Sequence, residues 1–139
     1  MPGFGQFSSS YQIATDFLRR LVANNGDGYG ACEVTIPIAI PDAVTGDIDT
    51  VLPDKFEVVD VTCIKQGGAG AGNTMQVQTG AGVVISDAIA CAVDKTVTRA
   101  GTIDPASSTI AAGGTLRIHA VKAAGTRTAL VLVYGFIRP

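Results

Sequence analysis

The segment from Phe56 to Gln78 consists of FEVVDVTCIKQ at positions 56–66, GGAGAG at 67–72 and NTMQVQ at 73–78. Apolar and polar residues alternate in the first and third pieces with the two-residue period of half-buried β-strands. We expect Val59, Val61 and Cys63 to share one face of the first strand, and Met75 and Val77 to point inward from the second. The glycines of the middle piece favour a β-hairpin with a flexible tip.

The glycines do not fit a nucleotide-binding loop. The dinucleotide fingerprint needs glycine at the first, third and sixth positions, followed by a helix whose N-terminus faces the pyrophosphate. Starting from Gly68 or Gly70, the sixth position is Asn73 or Met75. No Lys-Ser or Lys-Thr pair follows, as a P-loop requires. The connection is therefore interpreted as structural.

The strand pattern continues on both sides of this segment. Apolar residues alternate from Cys32 to Ile40, and Pro37 cannot donate to a neighbouring strand, which predicts a strand at the edge of a sheet. A short strand is expected at 48–52, within an acidic segment. About seven or eight short strands separated by turn residues predict an all-β fold, as an antiparallel β-sandwich or jelly-roll-like domain.

The last strand, expected at 128–137, is apolar on both faces. One face carries Leu130, Leu132, Tyr134 and Phe136, and the other carries Ala129, Val131, Val133 and Ile137. A strand that is apolar on both faces is buried on both. We expect one face to meet the core, and the face with Val131, Val133 and Ile137 to meet a helix or a neighbouring subunit.

The N-terminal region, residues 1–30, is predicted to be an arm, a helix and a linker ahead of the β-sandwich domain at 31–139. The amphipathic helix is expected at 11–24, where Tyr11, Phe17 and Leu21 belong to one apolar stripe with helical spacing. Phe4 and Phe7 lie in a short arm before it, and aromatic residues are unusual in a purely disordered tail. We expect the arm to dock on a partner or on its own domain. A short helical turn is also expected at 86–93, with Ser86 as its N-cap.

The composition indicates a protein that covers much of its surface by assembly. Only 16% of the 139 residues are charged and 47% are hydrophobic, whereas a typical soluble domain is about 25% charged. A net charge of −2 without a basic cluster argues against nucleic-acid binding. No apolar run approaches the ~20 residues that cross a bilayer, so no membrane partner is expected. We expect no signal peptide, synthesis in a reducing cytoplasm and free thiols at all three cysteines.

We find no catalytic, metal or cofactor-binding constellation in the sequence. Four aspartates, at 42, 47, 49 and 54, lack the EF-hand spacing and are interpreted as turn residues rather than Ca²⁺ ligands. His119 is the single histidine, on the polar face of its strand and without a nucleophile-elbow motif, which favours a surface or interface role. We predict that the protein is not an enzyme and binds no cofactor.

Several segments resemble the small capsid decoration proteins, also called cement or head-stabilising proteins, of tailed bacteriophages. They are FEVVDVT (56–62), TMQVQ (74–78) with the glycine-rich connection before it, ISDAI (85–89), AGGTLRI (112–118) and LVLVYGFIRP (130–139). The resemblance implies a β-sandwich or jelly roll, commonly trimeric, at three-fold or quasi-three-fold positions on an icosahedral shell. Such a protein clamps neighbouring major capsid subunits against internal DNA pressure and has no active site.

The sequence and the resemblance together predict a homotrimeric virion structural protein, made in the host cytoplasm and bound to the major capsid protein on the capsid exterior. The candidate interface residues are Phe4, Phe7, Tyr11, Phe17, Leu21, Val131, Val133 and Ile137. One alternative is a jelly-roll module of a virion fibre that binds carbohydrate or a host surface, with Tyr11 and Tyr29 as candidate contacts. The other is a small β-sandwich enzyme that uses His119 beside a carboxylate.

Overall fold

The computed structural model describes residues 32–138, in which all regular secondary structure is β-strand. The strands are β1 (Cys32–Ile40), β2 (Gly46–Val51), β3 (Lys55–Lys65), β4 (Thr74–Thr79), β5 (Ile89–Ala90), β6 (Val97–Arg99), β7 (Thr109–Ile110), β8 (Thr115–Val121) and β9 (Ala129–Arg138). The all-β class is therefore confirmed. The predicted helix at 11–24 and the arm before it lie outside the described residues.

The predicted helical turn at 86–93 is wrong. Ile89–Ala90 forms β5, and Ser86 makes an isolated bridge to Ile103. The buried Ser86 hydroxyl accepts a hydrogen bond from the Val77 N–H at 3.0 Å and donates one to the Asp87 carbonyl at 2.9 Å. The side chain that we interpreted as a helix cap thus joins two extended segments, because Ser satisfies either geometry.

The strands form two antiparallel sheets. The five-stranded sheet has the order β1-β9-β3-β6, with β7 also paired to β3, and the four-stranded sheet has the order β2-β8-β4-β5. Pairs are nested along the chain: β1 with β9, β2 with β8, β3 with β6 and β7, and β4 with β5. The first half of the chain thus pairs with the second half in reverse order, and successive pairs belong alternately to the two sheets. The predicted edge position of the strand that contains Pro37 is confirmed.

One hydrophobic core lies between the two sheets. From the four-stranded sheet, β4 and β8 contribute Met75, Val77, Leu116, Ile118 and Ala120. From the five-stranded sheet, β3 and β9 contribute Phe56, Val58, Val61, Val131 and Val133. Each of these side chains is at most 1% exposed. The predicted inward direction of Met75 and Val77 is confirmed.

A β-bulge in β3 decides which of its residues face the core. The register with β9 shifts between Val58 and Asp60, so Val59 is an extra residue and is 43% exposed. Because one inserted residue reverses the alternation of side chains, positions on both sides of the bulge point inward. They are Phe56, Val58, Val61 and Cys63. The predicted grouping of Val59 with Val61 and Cys63 is wrong for this reason.

The two faces of β9 are the reverse of the prediction. β9 lies between β1 and β3, and its inward face carries Val131 and Val133, both fully buried. Gly135 shares this face, where an added Cβ would collide with the Phe56 ring and the Glu57 carbonyl oxygen. The ring of Phe56 occupies the space beside this glycine, so this is the face that packs inside the domain. The predicted interface role of Val131 and Val133 is therefore wrong.

The glycine-rich connection between β3 and β4 crosses from one sheet to the other, so the predicted hairpin is wrong. The connection between β8 and β9 also crosses from one sheet to the other. A two-residue hairpin turn keeps both strands in one sheet. The connections 66–73 and 122–128 are longer and span the roughly 10 Å between two packed sheets.

The same connection is anchored by two buried polar side chains. The Lys65 side chain, 1% exposed, donates from Nζ to the carbonyl oxygens of Gln66 at 2.7 Å, Gly68 at 2.6 Å and Thr128 at 3.2 Å. The Asn73 amide donates to the Thr126 carbonyl at 2.7 Å, and its side-chain oxygen accepts from the Ala123 N–H at 2.7 Å. These bonds tie the two crossover connections together at one end of the domain.

Candidate interaction surfaces

The outer face of the five-stranded sheet carries apolar side chains at one end. Cross-strand register places Ala39, Leu130, Ile64 and Val97 in one row across the sheet, with Pro37 and Leu132 in the next row. We call these six residues the apolar patch. Leu130, Leu132 and Ile64 are partly exposed, and Val97, at the sheet edge, is 64% exposed. Because opposed side chains on neighbouring strands lie about 5 Å apart, the patch is continuous.

The other end of this face is charged and holds an open cavity of about 500 Å³. The cavity is lined by Glu33, Val59, Asp60, Thr62, Arg99 and Tyr134. The Nε of Arg99 contacts the Asp60 carboxylate at 2.6 Å. The bulge places Val59 in the lining, in keeping with the tendency of bulges to redirect a side chain at a surface. The outer face thus joins an apolar end to a polar end that contains two aromatic residues, Tyr134 and Phe136.

The outer face of the four-stranded sheet is polar and open. The guanidinium of Arg117 binds the Asp49 carboxylate through two hydrogen bonds of 2.8 and 3.0 Å. This pairing lowers the pKa of Asp49 below its ordinary value and raises that of Arg117. His119 Nδ1 lies 2.6 Å from an Asp47 carboxylate oxygen, with both side chains more than a third exposed.

These contacts change the interpretation of the acidic residues and of His119. Asp47 and Asp49 lie within β2, so they are strand residues paired to β8 rather than turn residues. Asp42 is held by the Arg127 N–H at 3.0 Å and the Lys122 ammonium at 2.8 Å, which together lower its pKa. His119 has a carboxylate partner, yet the pair lies on an open sheet face and not in a cleft that excludes water, as acid–base catalysis favours.

The structure describes three of the eight predicted interface residues. Phe4, Phe7, Tyr11, Phe17 and Leu21 lie outside the described residues. Val131 and Val133 are in the core, and Ile137 is partly buried and packs against that core. Val131 and Val133 have no exposed surface and Ile137 packs against the core, so the apolar patch replaces them as the candidate interface.

Sequence reasoning missed both Tyr134 as a cavity residue and the apolar patch. The signal for the patch was present, because Leu130 and Leu132 alternate with Val131 and Val133. The signal for the cavity was not, because it depends on the bulge at Val59. Alternation identifies two faces without indicating which one is inside.

The described part of the chain contains no group of three or more His, Cys, Asp or Glu side chains suited to hold a metal ion. Within residues 32–138 there is also no helix long and apolar enough to cross a membrane. No protein-family model matches the chain, and no curated protein matches it significantly.

Proposed function

We propose that this protein is a bacteriophage virion structural protein, a decoration or cement protein that binds the outside of an icosahedral capsid as a homotrimer. It stabilises contacts between major capsid protein subunits. The strand order supports this function: nested pairs that alternate between two sheets are the arrangement of a jelly-roll β-sandwich, with β6 and β7 together filling one strand position. Jelly rolls are frequent in viral capsid and lectin domains.

The observation that carries the proposal is the difference between the two outer faces of the sandwich. The face of the four-stranded sheet carries an exposed valine, Val51, at its edge and is otherwise dominated by exposed ion pairs such as Arg117–Asp49. The face of the five-stranded sheet carries the apolar patch, ending in the 64% exposed side chain of Val97. A continuous apolar patch on one side of a small domain marks a protein–protein contact. We assign the patch, together with the predicted helix at 11–24, to the trimer interface.

The arm around Phe4 and Phe7 is assigned to the capsid. β1 begins at Cys32, which pairs with Ile137 at the charged end of the five-stranded sheet, so the chain before β1 joins the domain at the cavity end, opposite the apolar patch. A short segment with two aromatic residues adds contact area to a partner at modest entropic cost, because aromatic side chains have few rotatable bonds. The trimer contact and the arm would then use opposite ends of the same sheet, which leaves the arm free to reach the capsid.

Binding to purified capsids tests this assignment. Full-length protein is mixed with shells that lack it, and occupancy is measured on sedimented particles. We expect saturable binding by the full chain, and weaker binding after deletion of Met1–Ser10. The control is a chain in which Phe4 and Phe7 are kept and the three serines Ser8, Ser9 and Ser10 are replaced by alanine. Unchanged occupancy after the deletion would refute the role of the arm, and no occupancy by the full chain would refute capsid binding.

The cavity beside Tyr134 favours a second candidate function, a carbohydrate-binding module of a virion fibre. One aromatic ring flanked by Glu33, Asp60 and Arg99 offers a stacking surface with hydrogen-bonding groups around it. A glycan array tests it directly. Binding that Tyr134→Ala abolishes would support this function in place of the first, and an array without hits would exclude it.

A further inference from the structure

Two buried cysteines meet across the interface between the sheets. Cys63 belongs to β3 in the five-stranded sheet, and Cys91 directly follows β5 in the four-stranded sheet. Their side chains are 1% and 2% exposed, and their Sγ atoms lie 2.6 Å apart. The two residues are 28 positions apart in the sequence. Their contact therefore results from the fold and not from a short motif.

The backbone holds both residues at this place. Cys63 is paired with Thr98 on one side and with Val131 on the other. The Cys91 N–H donates to the Asn73 carbonyl oxygen at 2.8 Å, and Asn73 is itself fixed by the crossover connections. A disulfide requires Cβ atoms that face each other at short range, and here the fold brings both thiols together without a chain movement.

The surroundings also distinguish the two thiols chemically. The hydrogen bond from Cys63 lowers the pKa of Cys91, and the nearby Lys65 ammonium lowers it as well. The same hydrogen bond and burial raise the pKa of Cys63. Since the thiolate is the nucleophile in thiol–disulfide exchange, Cys91 is the sulfur that reacts first.

We infer that Cys63 and Cys91 are a modification site: they form an intramolecular disulfide that links the two sheets when the protein meets a small-molecule disulfide. The Cys91 thiolate attacks one sulfur of that disulfide and releases one thiolate. The Cys63 thiol then loses its proton and attacks the Cys91 sulfur, which releases the second. Two protein thiols are oxidised and one small disulfide is reduced to two thiols.

Access to the buried pair comes through the segment that contains Cys91. β5 has two residues and pairs only with Thr74 and Met75 of β4, so few hydrogen bonds hold it. Short, weakly paired segments open locally at lower free-energy cost than the core strands. Once formed, the cross-link restricts a loop between the sheets and stabilises the fold. This inference does not depend on capsid binding.

Oxidation of the Cys32→Ala variant tests the inference, because that variant leaves two cysteines. The folded protein is incubated with oxidised glutathione, and free thiols are then titrated in denaturant. We expect titratable thiols to fall to none, the intact mass to fall by about 2 Da through loss of two hydrogens, and the chain to stay monomeric on a denaturing, non-reducing gel. The melting temperature should rise on the order of 10 °C.

The matched control is the double variant Cys32→Ala/Cys63→Ala, which keeps Cys91 alone. Its melting temperature should not rise with the same treatment. If this variant does not fold, the mass and thiol measurements on Cys32→Ala decide by themselves. Two thiols that stay free, that each take up glutathione, or that link separate chains would overturn the inference.

Discussion

Replacement of Lys65 by methionine tests whether this buried ammonium holds the crossover end of the domain together. Methionine keeps the apolar stem but removes the charge and all three donated hydrogen bonds, to Gln66, Gly68 and Thr128. Thr128 keeps a second donor, the Gln66 N–H at 3.0 Å. The main loss therefore falls on the other two acceptors, the carbonyl oxygens of Gln66 and Gly68.

The magnitude follows from these two acceptors. A lost hydrogen bond to a charged group costs about 1.5–3 kcal/mol, and methionine recovers part of that cost because burying an ammonium is itself unfavourable. We expect a net loss of about 2–4 kcal/mol in the free energy of unfolding, a large fraction of the 5–15 kcal/mol of a typical domain. With a urea m-value of roughly 1–3 kcal/mol/M, the midpoint should fall by about 1–3 M.

Equilibrium unfolding in urea measures this effect, and Lys55→Met is the matched control. Lys55 lies in the same strand and is exposed, so its replacement should change stability by less than about 0.5 kcal/mol. A Lys65→Met midpoint equal to that of Lys55→Met would refute the anchoring role of Lys65.

Two further substitutions test the packing and the ion pairs. Gly135→Ala should lower the free energy of unfolding by about 1–3 kcal/mol, because its methyl group meets the Phe56 ring. The control is Gly46→Ala, whose methyl group meets only atoms at 3.9 Å or beyond and should be tolerated. Equal losses of stability for the two variants in a thermal melt would contradict this packing. The pKa of Asp49 is lowered in the folded state by Arg117, so its contribution is present at neutral pH and is lost as the pH falls below about 4. Asp49→Asn should accordingly melt below the wild type at pH 7, and the difference should shrink as the pH falls through the lowered pKa of Asp49. A difference that does not change with pH would argue against the pairing.

The sequence predicted the features that depend on local pattern. The all-β class, the edge position of the strand with Pro37 and the inward direction of Met75 follow from alternation and from the missing N–H of proline. The nested strand order did not follow, because a glycine-rich connection suits a hairpin as well as a crossover. The two cases differ in strand pairing: a hairpin would pair β3 with β4, whereas in the structure β3 pairs with β9.

The candidate surfaces were less predictable because they depend on contacts between distant residues. Alternation in β9 separates Val131 from Leu132, but the Phe56 ring beside Gly135 decides which face is inside. The extra residue Val59 has no signature in the sequence, yet it reverses the faces of β3 and helps form the cavity. The contact of Cys63 with Cys91 is likewise a product of the two-sheet arrangement.

The proposed function depends most on the assignment of the apolar patch to the trimer interface. Val97 and Val51 are a matched pair for testing it: both are valines on edge strands, 64% and 67% exposed, on the outer faces of opposite sheets. Lysine at either exposed site should leave the fold intact. The measurement is the mass in solution at micromolar concentration, by size-exclusion chromatography with light scattering. We expect three times the 14.2 kDa chain mass for the wild type and for Val51→Lys, and a single chain mass for Val97→Lys. A monomeric wild type, or a Val97→Lys protein that stays trimeric, would contradict this assignment.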